Sequence, residues 1–477
     1  LPYIGPVYIS ARKRKKALCQ GFWHNAFLFI TLGDEMKMRL AYIFQTMMAL
    51  TAAAILVVSA NAEDWPQWRG PFFNGFTSEE GLPDTWNKAQ NLLWVVKMPG
   101  PGAATPIIWE DRVFMTAIET ESKKMWAICL ARSDGRELWK HEIGVGFFTS
   151  TGNNGVSPSP IADGERVYFL FGTGDLLAFD MDGQIIWKRN IEEDHGKIQI
   201  MYRYGASPLL YQGKLYIAVM HRHTRVKAQP GQPKPMSYLL CIDPRTGEDL
   251  WKYERKTDAK SESMEAYTTP YPFEGANGSL IIVAGANYVT AHDPDNGREV
   301  WRSFNINPAK RGNYRLVSSV VSAGGMVIFY EPRGEAIFAV KGDSSGQMTE
   351  NDIVWTTREN APDVCTPLVM DGKLFVLDGN RRVMSCLDPG TGEVLWRGKL
   401  GANKAFQASP TGADGKIYCI SMGGEVVVLS AGDTFEVLSR IDMGEGECRS
   451  TISVAHRRIF IRTSENLYCI GTGKETE

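Results

Sequence analysis

The sequence predicts an all-β chain, an eight-bladed β-propeller of four-stranded antiparallel blades, from three observations. A unit with a small residue, Asp at +2, Gly at +6 and Trp at +10 recurs along the chain. A second element, opening on Ser or Thr and in its clearest copies turning at Asp-Gly or Gln-Gly, lies ahead of each copy. The last copy stops after its third strand, and a spare strand-like stretch precedes the first copy.

The clearest units run from Cys241 through Asp243 and Gly247 to Trp251, from Ala291 through Asp293 and Gly297 to Trp301, and from Cys386 through Asp388 and Gly392 to Trp396. Weaker copies end at Trp139 after Cys129, at Trp187 after Ala178, and at Trp355 after Ala339 through a longer, irregular turn. In Ser207-Pro208 to Ile217, alternating apolar residues start an inner strand, and Gln212-Gly213 makes the hairpin turn, where glycine supplies a positive φ. The third strand carries the small residue, and Asp-Pro-x-Thr-Gly turns the chain into the fourth, with Asp and Thr bonding the turn backbone and Pro presetting φ. The Trp on that outer strand is expected to lie between neighbouring sheets, because only a small residue opposite leaves room for an indole. The docking positions are therefore Trp139, Trp187, Trp251, Trp301, Trp355 and Trp396, with Leu438 in a degenerate seventh copy.

Inner strands are expected to start at Thr105, Ser157, Ser207, Thr269, Ser318, Thr366, Ser409 and Thr451, a count of eight against seven complete outer strands. The eighth unit ends at Leu467-Tyr468-Cys469-Ile470, so Leu92–Val96, carrying Trp94, is the expected closing strand. Closure of this kind removes both exposed edges of the ring. Seven blades is the alternative, since the units at Ser409 and Thr451 are the least regular.

Eight cysteines in an exported chain would ordinarily suggest disulfides. Here Cys129, Cys241, Cys386 and Cys469 occupy a recurring Ala-or-Cys slot, so they are expected to act as small buried hydrophobes, too far apart to bridge. No Cys-x-x-Cys spacing points to a metal knuckle.

Residues 36–62 read as a secretory signal: the basic Met36-Lys37-Met38-Arg39, an apolar run from Leu40 to Val58, and the small-x-small site Ala60-Asn61-Ala62. A membrane anchor is the competing reading, weakened by Gln45 and Thr46 and by the absence of a basic stop-transfer cluster. Residues 1–35 read as an over-extended start or a disordered extension, residues 63–91 as a Trp-rich clasp, and residues 92–471 as the propeller. The expected location is periplasmic or extracellular, with no stable membrane span after cleavage. Lys+Arg 52 against Asp+Glu 54 leaves no net field to recruit nucleic acid, and the chain is expected to be monomeric.

The small-x-Asp-x-x-Thr-Gly-x-x-x-Trp unit resembles the tryptophan-docking motif of the pyrroloquinoline-quinone (PQQ) repeat propellers. That family includes quinoprotein alcohol dehydrogenases and the non-catalytic propeller lipoprotein of the outer-membrane assembly machinery. The opening Asp64-Trp65-Pro66-Gln67-Trp68-Arg69-Gly70-Pro71, with Asn74-Gly75, Leu82-Pro83, Trp86 and Trp94, is similar to the start of exported PQQ-binding-like repeat proteins. Within that opening, Trp65, Trp68 and Trp86 are expected to cover apolar surface beside the closing strand.

The resemblance implies a ligand face near the axis, on the loops entering the inner strands. Candidate cofactor-binding residues there are Asn153, Arg203, Glu265, Arg315, Lys404 and Arg449, with no catalytic residue assigned. His195, and His221 with His223, are weaker candidates as base or metal ligand. A quinone dehydrogenase resembling this family would carry adjacent cysteines, a Ca²⁺ held by Glu and Asn, and a catalytic Asp. The sequence has no Cys-Cys pair and no acidic cluster of calcium-site spacing. The expected function is a non-catalytic envelope scaffold with an envelope protein or a glycan as partner and no cofactor. The alternative is an oxidoreductase using PQQ with Ca²⁺ on alcohols or sugars.

Overall fold

The computed structural model describes residues 63–147, 153–222 and 236–473. The signal-type segment, the extension before it, His223 and the Pro-rich stretch at 229–235 lie outside these residues. The described residues form eight sheets, and in all but the eighth the four blade strands follow chain order from the axis outward. The first blade is Ile107–Trp109, Arg112–Ile118, Lys124–Ala131 and Glu137–Val145. The eighth is Ser453–Ala455, Arg458–Arg462 and Asn466–Gly471, completed by Leu92–Lys97 from the other end of the chain. Trp94 pairs with Cys469 and Val96 with Leu467 in that seam, which is the expected closure. In blade four a parallel Gly346–Gln347 segment adds a fifth strand beside Glu299–Arg302, which accounts for the irregular stretch ahead of Trp355.

The small slot and the indole meet as the repeat requires. Cys129 faces Trp139, Ala178 faces Trp187, Cys241 faces Trp251, Ala291 faces Trp301, Ala339 faces Trp355 and Cys386 faces Trp396. Each indole then reaches into the next blade and donates its Nε1–H to a turn carbonyl. Trp94 reaches Arg132 at 2.9 Å, Trp187 reaches Pro244 at 2.9 Å, Trp301 reaches Gly342 at 2.8 Å and Trp396 reaches Gly432 at 3.0 Å. The buried indole fills the space between sheets while its one polar atom stays bonded, which is why Trp suits the position. The seven described cysteines are buried and in no disulfide.

Blade seven departs from the pattern, and Leu438 is not its docking position. Val428 faces Ser439, and Leu438 falls in the bulge between Val428 and Leu429, so its side chain points outward at the rim. The cause lies in blade eight: its third and fourth strands come from opposite chain ends, so no Asp-Pro-x-Thr-Gly turn exists there for an indole to dock against. Residues 82–86 cover this place instead. Leu82 N–H donates to Asp414, Tyr418 OH donates to the Pro83 carbonyl, Ser439 donates to the Asp84 carbonyl, and buried Trp86 sets its Nε1 3.4 Å from Met443 Sδ.

In blade four, His292 is fully buried. Its Nδ1–H donates to the Gly297 carbonyl at 2.9 Å, and Nε2 lies 2.8 Å from the Thr290 hydroxyl, which also accepts from Arg255 Nε–H. Burial, helped by the nearby Arg255 guanidinium, pushes its pKa from 6.5 down to about 4. Below pH 6.5 the unfolded chain therefore takes up a proton that the fold refuses, and stability is lost progressively until about pH 4, by about 3 kcal/mol in total. Denaturant unfolding at pH 7, 5.5 and 4 will show this slope. His292→Gln, which cannot titrate, will flatten it while lowering stability at pH 7; an unchanged slope would remove His292 from the account.

The segment before the closing strand crosses the base of the ring. Trp65 exchanges both backbone hydrogen bonds with Ile108 of blade one, and the Pro66 carbonyl accepts from Ala162 of blade two. The Gln67 amide bonds both main-chain groups of Leu210 in blade three. Buried Arg69 donates to Pro367 of blade six at 2.6 Å and to Pro410 of blade seven at 2.9 Å. Asp64 meets His456 of blade eight at 2.7 Å. The expected role of the clasp tryptophans is thus corrected: Trp86 sits against Met443 at the end of blade seven, whereas Trp65 and Trp68 belong to a strap under the axis. The strap pairs inner-strand groups that would otherwise remain unsatisfied.

Candidate functional site: the axial funnel

Each inner strand is entered through a Ser or Thr followed in most blades by Pro, and these hydroxyls link blade to blade. Thr105 N–H donates to Ser159 Oγ, Ser159 N–H to Ser207 Oγ, Ser207 N–H to Thr269 Oγ1 and Thr269 N–H to Ser319 Oγ, at 3.0 to 3.1 Å. The chain continues from Ser319 to Thr366, from Thr366 to Ser409 and from Ser409 to Thr451. Ser157 and Ser318 are displaced from their expected places. Ser159 and Ser319 hold the ring positions, because the doubled Ser-Pro-Ser-Pro and Ser-Ser sequences shift the register of these two starts.

Above this ring opens a cavity of about 450 Å³, within the range of small-molecule sites. Its lower wall is Trp68 and the ring hydroxyls; its upper wall includes Asn153, Tyr202, Tyr267, Arg315, Gln407 and Arg449. Among the described residues no Asp or Glu lines it. A second cavity of about 570 Å³ adjoins it along the seam of blades eight and one, sharing Ala103, Ser157 and Arg449 and running out past Lys97, Glu447 and Glu465.

A hydrogen-bonded network fixes the wall. Asn153 N–H donates to the Tyr202 carbonyl at 3.0 Å and its Nδ2 to the Arg203 carbonyl at 3.1 Å. The Arg315 guanidinium lies over the Tyr202 ring, 5.1 Å from its centre, and pairs with Glu262 at 3.2 Å. Tyr202 N–H donates to Tyr267 Oη, which in turn donates to Glu265 at 3.3 Å. Glu265 is buried, pairs with Arg222 at 2.6 Å and accepts from Met201 N–H. Burial raises the Glu265 carboxyl above the usual range, and burial followed by the Glu265 charge raises the Tyr267 phenol.

Three of the sequence candidates, Asn153, Arg315 and Arg449, therefore line one cavity. Glu265 stands behind Tyr267 as a support for the wall. Arg203 is exposed, with its guanidinium over the Phe147 ring at 4.7 Å, and Lys404 is exposed outside the cavity, where Gln407 takes the wall position. His195 pairs with Asp249 at 3.1 Å, and His221 is buried with Nδ1 accepting from Gln199 N–H. Among the described residues no three His, Cys, Asp or Glu side chains converge as a metal site. Sequence reasoning missed Trp68 and the hydroxyl ring. The recurrence of Ser or Thr once per blade was the available signal for the ring; nothing periodic marked Trp68.

A family model described as PQQ_2, outer membrane protein assembly factor BamB, matches residues 85–234, 235–362 and 347–436. A curated relative, the quinohemoprotein alcohol dehydrogenase ADH-IIG of Pseudomonas putida, is 24% identical over 219 residues, which is 44% of this chain and 26% of the relative. The chain thus aligns with about a quarter of that relative's length. Among solved structures, the quinohemoprotein alcohol dehydrogenase of Comamonas testosteroni matches with a TM-score of 0.60 and 11% identity over 87% of this chain and 81% of that one. BamB of Moraxella catarrhalis matches with a TM-score of 0.56 and 13% identity over 81% and 98%. A europium-containing methanol dehydrogenase matches with a TM-score of 0.62 and 9% identity over 86% and 98%. At these identities the structural likeness is one of fold.

Proposed function

Because the chain belongs to the PQQ_2 family of β-propellers, we propose that it is a non-catalytic binding propeller of the cell envelope whose ligand site is the axial funnel. The observation that carries this reading is the absence of Asp and Glu from the funnel lining among the described residues. Oxidation of an alcohol needs a base at the reacting hydroxyl, and a calcium ion needs several converging oxygen ligands. The nearby carboxylates are committed elsewhere, Glu262 to Arg315 and Glu265 to Arg222. The envelope assignment rests on the signal-type residues 36–62 and on the name of the matching family; among the described residues no helix is long and apolar enough to cross a membrane.

The quinone-dependent reading has one structural point in its favour: Trp68 at the base of the funnel lies below Arg315 and Arg449. These residues would hold the carboxylates of a flat quinone cofactor, which when bound would accept a hydride or two electrons. The ligands for its calcium ion and the base do not fit, so no oxidation step follows from this lining. The test is to add PQQ and Ca²⁺ to the purified protein with an artificial electron-acceptor dye and a panel of alcohols and sugars. No dye reduction is expected; substrate-dependent reduction would overturn the non-catalytic reading.

A further inference from the structure

The ring hydroxyls have a property that their role as blade links leaves unused. Ser159, Ser207, Thr269, Thr366, Ser409 and Thr451 all line the funnel, and each spends an oxygen lone pair on the N–H of a neighbouring blade. A hydroxyl that accepts still has its own proton to give. Among the described residues no acceptor takes these protons, so the base of the funnel is a circle of O–H donors. The charged side chains that line the funnel are cations, Arg315 paired with Glu262 and Arg449 with Glu447. Arg315 and Arg449 line the wall above. Directly beneath, Arg69 is bonded to the carbonyls of Pro367 and Pro410, the residues that follow Thr366 and Ser409 in the ring. Its hydrogen bonds go to the carbonyls of Asn74, Pro367 and Pro410 and to no carboxylate among the described residues, so its charge is not cancelled locally. Burial lowers its pKa to about 10, which leaves it a cation at neutral pH.

We propose that the hydroxyl ring is an oxyanion site, taking the carboxylate or phosphate head of a small ligand on the propeller axis, with Arg315 and Arg449 closing over it. This rests on the reading of the funnel as a ligand site and specifies what that site selects. Each ring hydroxyl keeps one proton to give, and a charged acceptor receives hydrogen bonds roughly twice as strong as a neutral one. The strap blocks approach from below, so the head group enters from the loop face. The body of the ligand then occupies the upper funnel beside Tyr202 and Tyr267, or runs into the adjoining groove along the seam.

Isothermal titration of the full chain with inorganic phosphate, glucuronate and glucose tests the proposal. At least one of the two anions should bind and glucose should not; which anion binds identifies the source of the head group. Arg315→Gln and Thr366→Val should each weaken that binding at least tenfold, whereas Lys404→Gln, outside the funnel, should change it less than twofold. Melting curves of each variant show whether the ring is still closed, and Arg315→Gln, which leaves the ring bonds untouched, carries the test if Thr366→Val does not fold. Failure of both anions to bind, glucose binding as tightly as glucuronate, or indifference to Arg315→Gln would overturn it. Dye reduction with PQQ is a separate outcome: it would end the non-catalytic reading and leave these titrations standing.

Discussion

Removing residues 63–96 will abolish the cooperative unfolding of the propeller. The deletion takes away the fourth strand of blade eight, the Trp94 dock onto the Arg132 turn, and the strap that ties blades one, two, three, six, seven and eight together under the axis. It exposes the outward edge of Asn466–Gly471 and the edge of Ile107–Trp109 that Trp65 covers, so aggregation should accompany the loss. A milder variant separates closure from strap. Trp94→Ala leaves the strand in place and should cost about 3–5 kcal/mol, the usual cost of truncating a buried large aromatic. Urea unfolding measures both. A deletion variant with the parent's midpoint would show that the ring closes without its N-terminal strand.

The second large effect is expected at the docking glycines, where two positions with nearly the same backbone separate two costs. Gly247 has φ +76° and Gly372 φ +73°, so alanine at either adopts the left-handed region at about 1–2 kcal/mol. At Gly372 nothing lies within 4 Å of the added methyl group. At Gly247 the methyl would stand 2.7 Å from Cδ2 and Cε3 of Trp187, and close-packed interiors absorb such overlap poorly. Gly247→Ala should therefore cost at least about 2 kcal/mol more than Gly372→Ala, the order expected for overpacking. Equal destabilisation by the two would mean that the indole shifts freely and that docking contributes little.

The repeats made most of the fold legible. Slot and Trp are ten residues apart, within one hairpin, and the hairpin turn fixes their pairing. Even the closing strand could be read from a count of incomplete units. The error at Leu438 is instructive: the sequence shows an apolar residue near the right spacing, but the bulge between Val428 and Leu429 puts Ser439 opposite the slot. A docking Trp has no purpose where the neighbouring turn is split between chain ends, and that absence is a property of the ring.

The site was legible only in part. Asn153, Arg315 and Arg449 share a cavity, whereas Lys404 and Arg203, on other loops that likewise lead into inner strands, do not line it. Loop sequence names a face of the propeller, and the direction of each side chain depends on how neighbouring loops pack. The strap was read as a local clasp because its contacts, Gln67 with Leu210 and Arg69 with Pro367 and Pro410, occur once and repeat nowhere. By itself the sequence determined the blade, the number of blades and the way the ring closes, since these follow from periodic contacts between residues close in the chain. Only the tertiary structure decided what stands on the axis: the ring of hydroxyl donors, the Trp68 and Arg69 base and, among the described residues, a lining without carboxylates. Those features arise where eight blades converge, and side chains far apart in sequence become neighbours there only once the circle is complete.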